Sequence, residues 1–145
     1  MEHLIAIAGF AQSHFFSIAL CVVASVAIGF TWYGPLFGKI WMKEHGITPP
    51  KPEEMKFSMM LPGISANLVM VFVQASVMGR AFQILELRNI GYAFIIAVIF
   101  WLPFTLLPIV NSNAWLGKSW KVTALDAGYN LASLLATATL LYATL

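Results

Sequence analysis

Asp126 is the one acid that stands close to the interior of a long apolar run, and two kinds of chemistry are open to it. An ionisable residue inside an apolar span is a functional candidate by default, carrying a proton or binding a cation. A buried ion pair belongs to the same class, with Lys118 and Lys121 as the basic residues nearest in sequence. A local role competes. Thr123-Ala124-Leu125-Asp126 ahead of an apolar run has the form of a capping box, with the acid at the positively polarised start of a helix.

The other polar residues of the apolar runs fall on helical faces. His14, Ser17, Cys21 and Ser25 follow at spacings of 3, 4 and 4; Asn67 and Gln74 stand 7 apart; Asp126, Asn130, Ser133 and Thr137 follow at 4, 3 and 4. Three such stripes imply a polar seam facing inward between helices. The seam reads as interhelical hydrogen bonding that holds a bundle together, as a solute or proton pathway, or as a ligand site. His14 falls at the outer end of its helix, where an imidazole snorkels or hydrogen-bonds. No second His or acid accompanies it at ligand spacing, so neither a metal nor a cofactor is expected. The single cysteine, Cys21, excludes a disulfide framework. Ser17, Ser25 and Ser133 have no base and orienting acid, and no P-loop, dinucleotide glycine pattern or nucleophile elbow is present. An enzyme is not expected.

The elements that position these residues follow from charge. Of 145 residues only 10% are charged and 60% are hydrophobic, where a soluble domain carries about a quarter charged residues. Mean hydropathy is +0.83. Residues 3–38, 57–79, 89–117 and 127–145 contain no Asp, Glu, Lys or Arg. A soluble domain, a disordered chain and a nucleic-acid binder are excluded; the net charge of +2, split between loops, makes no polyanion-binding surface. What remains is an all-α integral membrane protein, one domain over 1–145, with four transmembrane helices in a compact bundle joined by short loops.

A bilayer core of roughly 30 Å takes about 20 helical residues. That length places spans at about 13–34, 57–79, 91–110 and 124–144, with 1–12 as an N-terminal extension lying at the surface or lengthening the first helix. The extension lacks the basic start of a signal peptide, with only Glu2 and His3 before Leu4. Thr48-Pro49-Pro50-Lys51-Pro52-Glu53-Glu54 reads as an extended turn and helix start. Pro62 should bend helix 2, and Pro103 and Pro108 should bend helix 3. Loop 1 (35–56) carries Lys39, Lys43, Lys51 and Lys56, and loop 3 (111–123) carries Lys118 and Lys121, against Arg80 and Arg88 in loop 2 (80–90). The positive-inside rule puts loops 1 and 3 in the cytoplasm and both termini outside.

Trp32, Trp41, Trp115 and Trp120 flank helix ends as an interfacial belt would. Trp32-Tyr33-Gly34-Pro35 reads as a rigid interfacial corner in which a side chain at Gly34 would crowd the turn. The corner leads into an amphipathic segment with Lys39 and Trp41. Gly38-Lys39-Ile40-Trp41 is echoed by Gly117-Lys118-Ser119-Trp120, through shared Lys and Trp anchoring or duplication of a two-helix hairpin.

The ten residues Trp32 to Trp41 resemble the signature of a family of small, four-helix, mainly bacterial membrane proteins classed as a domain of unknown function. In that family the aromatic Gly-Pro run follows helix 1. The last helix is similar over Asp126-Ala127-Gly128-Tyr129-Asn130-Leu131, and helix 3 over Trp101-Leu102-Pro103-Phe104, with Gly expected where Pro103 stands. The resemblance covers about 13–145. It implies a four-helix fold and a bacterial cytoplasmic membrane, and carries no agreed activity.

Two functions are consistent with these residues. One is a non-enzymatic structural or accessory protein whose partners are the lipid bilayer and either further copies of itself or the subunits of a larger membrane complex. The alternative is a small oligomeric transporter or channel that uses the polar seam and Asp126.

Overall fold

A chain with this little charge satisfies its backbone donors and acceptors internally, and each long uncharged stretch does so by coiling. The structure, a computed structural model, describes residues 1–48 and 57–145. The described residues form α1 (Glu2–Ser13), α2 (Phe15–Thr31), a π-helical turn (Trp32–Leu36), α3 (Gly38–Glu44), α4 (Phe57–Ile84), α5 (Ile90–Trp101), a second π-helical turn (Leu102–Leu106), α6 (Leu107–Trp115) and α7 (Trp120–Thr144). No strand occurs among them. The Thr48 to Glu54 signal, beyond Thr48 itself, lies outside the described residues, as do Lys51 and Lys56.

Helix α7 is the hub. It packs against α2, α5 and α4, and the contact surface is built from small side chains. Ala93 and Ala97 on α5 and Ala138 on α7 are fully buried, so the backbones approach closely. Ile18, Val71, Met78, Leu134 and Leu141 fill the remaining core, while Val23, Val69, Ile95 and Ile99 point their apolar side chains outward. Three helical runs, Phe15–Leu36, Met60–Ile84 and Ile90–Trp115, are long and apolar enough to cross a membrane. Helix α7 has the length but carries Thr123, Asp126, Asn130, Ser133 and Thr137 along it, and is not among the three.

Residues 2–11 belong to a separate helix rather than to a simple lengthening of the first. The chain breaks at His14 (ψ 30°), and α1 packs on α4. Phe10 is buried in that contact against Gly79, where any Cβ would run into its ring. His14 stacks on Phe10 with ring centroids 4.4 Å apart, and its Nδ1 lies 3.2 Å from the Phe10 carbonyl oxygen. The imidazole is held locally at the kink.

Loops 2 and 3 are shorter than expected, and the helix ends that bound them are stitched by hydrogen bonds. Helix 2 runs to Ile84 rather than 79, so Arg80 is helical. At its end the Glu86 N–H donates to the Gln83 carbonyl and the Leu87 N–H to the Phe82 carbonyl, which forms a Schellman cap. Glu86 takes the left-handed position of that cap (φ 46°), which costs an L-residue about 1 kcal/mol. Glu86→Gly should therefore stabilise the protein by about 1 kcal/mol, read as a higher melting temperature in detergent.

Helix 3 does not give way to a loop at Asn111. Pro103 withdraws a donor inside the second π-helical turn and Pro108 lies in the first turn of α6, so the expected bend takes the form of a widened turn. The helix then continues to Trp115 and closes in a second Schellman cap at Gly117 (φ 61°), with Gly117 N–H to Ala114 O at 3.2 Å and Lys118 N–H to Asn113 O at 2.9 Å. Asn111-Ser112-Asn113 has loop composition, yet Asn113 is buried and donates to Thr123 Oγ1 on α7 at 3.0 Å. That partner removes its need for water. Helix α4 passes through Pro62 without interruption.

Candidate functional site

Helix α7 begins at Trp120, with Ser119 in the N-cap position. Asp126 thus lies in the second turn, and the capping-box reading fails. Lys118 and Lys121 are not its partners either. Lys121 reaches Glu44 of α3 at 3.3 Å, and Glu44 also accepts a short hydrogen bond from Ser119. The Ser119 hydroxyl first, and Lys121 after it, hold the Glu44 carboxyl below the usual carboxylate range. These contacts tie α3 to the start of α7.

The partners of Asp126 are aromatic. Its Oδ1 accepts from the Tyr33 hydroxyl at 3.0 Å and from Trp41 Nε1 at 3.1 Å. The first π-helical turn makes this convergence possible. Gly34 leaves helical geometry there (φ −100°, ψ −105°), so α3 departs in a new direction and returns Trp41 beside Tyr33, edge to face at 5.7 Å. A Cβ on Gly34 would meet nothing within 4 Å, so crowding is not the reason for that glycine. The crowded position is Gly38, where a Cβ would run into the Tyr33 carbonyl oxygen.

Two further tryptophans bind the backbone of the same turn. Trp32 Nε1 donates to Leu125 O at 3.1 Å and Trp101 Nε1 to Ala127 O at 2.9 Å, while Asn130 Nδ2 donates to Asp126 O at 2.8 Å. Three successive carbonyls of α7 each receive a side-chain N–H. The Trp32 indole lies so close to Gly128 that a Cβ there would stand 3.1 Å from Cζ2. Trp32, Tyr33 and Trp41 are half-buried, while Trp115 and Trp120 are 85% and 72% exposed. Lys39 is exposed on α3.

One helical turn further along α7 the polar stripes meet. Tyr129 donates to Asn67 Oδ1 on α4 at 3.0 Å and lies 3.4 Å from the Ser25 hydroxyl of α2. Ser133 donates to Ser25 at 2.8 Å, and Cys21 Sγ lies 3.9 Å from the Thr137 carbonyl oxygen. Gly29 admits the phenol, since a Cβ there would lie 3.3 Å from the Tyr129 hydroxyl. Asp126, Asn130 and Asn67 therefore belong to one connected region. His14 does not, and Gln74 is half-buried on α4 without joining the network among the described residues.

A lateral cavity of about 680 Å³ adjoins this region between α2 and α4, with Tyr33, Asn67 and Tyr129 in its wall. Among the described residues no three His, Cys, Asp or Glu side chains gather as a metal site requires. The arrangement as a whole offers hydrogen-bond donors converging on one helix.

Sequence reasoning separated what the fold joins. Asp126 and its donors lie 93 and 85 residues apart, and the tryptophans read as membrane anchors. Trp101 had no role assigned. The usable signal was that an acid in an apolar helix needs donors, and indole and phenol groups are among those this chain supplies.

The model of a family described as a protein of unknown function (DUF1761) matches residues 16–142. No curated protein and no solved structure matches the chain.

Proposed function

We propose that this chain, which belongs to the DUF1761 family of proteins of unknown function, is a four-span integral membrane protein with a structural or accessory role. It works as a homo-oligomer or as a small subunit of a larger complex in the bacterial cytoplasmic membrane. Helix α7 supplies the fourth span. Its 25 residues extend about 37 Å, enough to cross a hydrocarbon core of roughly 30 Å. Its polar side chains do not have to meet lipid, because Ser133, Tyr129, Asn130 and Asp126 each have a hydrogen-bond partner within the bundle. Loops 1 and 3 face the cytoplasm and both termini face outward, following the distribution of Lys and Arg.

The observation that carries this reading is that Ser133, Tyr129 and Asp126 of α7 each take a hydrogen-bond partner from another element. Ser133 bonds Ser25, Tyr129 bonds Asn67, and Asp126 takes Tyr33 and Trp41. Hydrogen bonds of this kind hold helices together in lipid.

Two measurements test it. The mass of the complex extracted in mild detergent should exceed that of a 16.0 kDa monomer plus its detergent belt. Single cysteines at Ile47 and Leu145 should label from the cytoplasmic and the outer side respectively, with Cys21 silent because it is fully buried. A monomer counts against the assembly role, and labelling of Ile47→Cys from outside intact cells overturns the orientation.

A further inference from the structure

We propose that the groove between α2 and α4 is a binding site for an anionic glycerophospholipid, holding one acyl chain and the ester group at its head. The proposal rests on the membrane reading above. A volume of about 680 Å³ falls within the range of ligand pockets, about 300–1,000 Å³. Its walls are apolar side chains, Val26, Phe30, Met60 and Ile64, and Phe30 and Met60 are 53% and 43% exposed, so the groove opens laterally to the bundle surface. Gly29, Gly34 and Gly63 also line it. A Cβ on Gly34 or Gly63 would meet nothing within 4 Å, so the space beside them is room for an occupant rather than for neighbouring helices.

The polar part of the wall selects the head of that occupant. The Tyr129 hydroxyl donates its hydrogen bond to Asn67 Oδ1, and the Tyr33 hydroxyl donates its own to Asp126 Oδ1. What Asn67 has left to offer is its amide N–H groups, which have no acceptor among the described residues. The groove therefore asks for an acceptor on an apolar chain, and an ester carbonyl is one. The groove runs from the π-helical turn at Gly34 and the start of α4 near Met60 to Asn67, the eleventh residue of α4. Immediately beyond the turn, α3 carries Lys39 and Lys43, both exposed. These two exposed cations, on the helix that follows the groove-lining turn, favour a head with net negative charge over a zwitterionic one.

The test is native mass spectrometry of the full chain released from nanodiscs containing equal phosphatidylglycerol and phosphatidylcholine. Wild type is expected to retain phosphatidylglycerol in preference. Gly63→Phe, which fills the groove from an open position, should reduce retained lipid about tenfold with the melting temperature unchanged. Met60→Trp provides a second filling variant should the first fold poorly. The pair Lys39→Gln and Lys43→Gln should keep the lipid and lose the preference. Equal retention of both lipids by wild type, or undiminished retention in a folded filled-groove variant, overturns the lipid site and leaves the membrane reading standing. Failure of the wild-type chain to enter nanodiscs at all overturns both.

Discussion

Asp126→Ala is expected to destabilise the detergent-solubilised protein by about 3 kcal/mol, against about 1 kcal/mol for loss of a helix cap. The substitution strands two donors at once, the Tyr33 hydroxyl and Trp41 Nε1, in a partly buried site. It also removes one of the ties between α3 and α7, the Trp41 contact, and leaves that of Glu44 with Ser119 and Lys121. Asp126→Asn keeps an accepting oxygen and should lose about 1 kcal/mol. Tyr33→Phe and Trp41→Phe each remove one donor, so a double-mutant cycle with Asp126→Ala should show coupling beyond simple addition. Additive effects, or an alanine variant as stable as the asparagine one, would remove Asp126 from the centre of this account.

The second large effect belongs to a glycine. Gly128→Leu should cost about 3 kcal/mol, at the upper end for an overpacked contact. Even the Cβ would stand 3.1 Å from the Trp32 ring, and the leucine branch has to displace the indole. The Trp32 to Leu125 hydrogen bond is lost with it, and α2 is pushed away from α7. Gly128→Ala should be milder, because the ring has to yield only a few tenths of an ångström. Gly63→Leu is the matched control, with a Cβ that meets nothing within 4 Å. Thermal unfolding and membrane yield of the three variants decide the matter: equal melting for Gly128→Leu and Gly63→Leu would contradict the close α2–α7 contact.

The helical class was legible from charge-free stretches because it depends on composition over 20 or more residues. Boundaries were less legible, for reasons specific to each. Asn113 has the polarity of a loop residue and is retained in a helix by Thr123, a partner ten residues away. The N-terminal apolar run carries no sign in itself that Phe10 docks on Gly79. The polar stripes were legible from their spacing, and Ser25, Ser133 and Asn67 meet where three faces converge. The role of Asp126 was not. A Thr-x-x-Asp pattern is local, while the donors that the acid uses arrive through the turn at Gly34, whose direction no spacing rule specifies.

That Asp126 holds the bundle together and carries nothing across the membrane is tested most directly by proteoliposome flux under a proton or sodium gradient, measured beside thermal stability. Wild type and Asp126→Asn should both be folded and both show no flux that depends on the gradient. Flux in the wild type that vanishes in a well-folded Asp126→Asn protein would contradict the account and make the aromatic-bound acid part of a transport path.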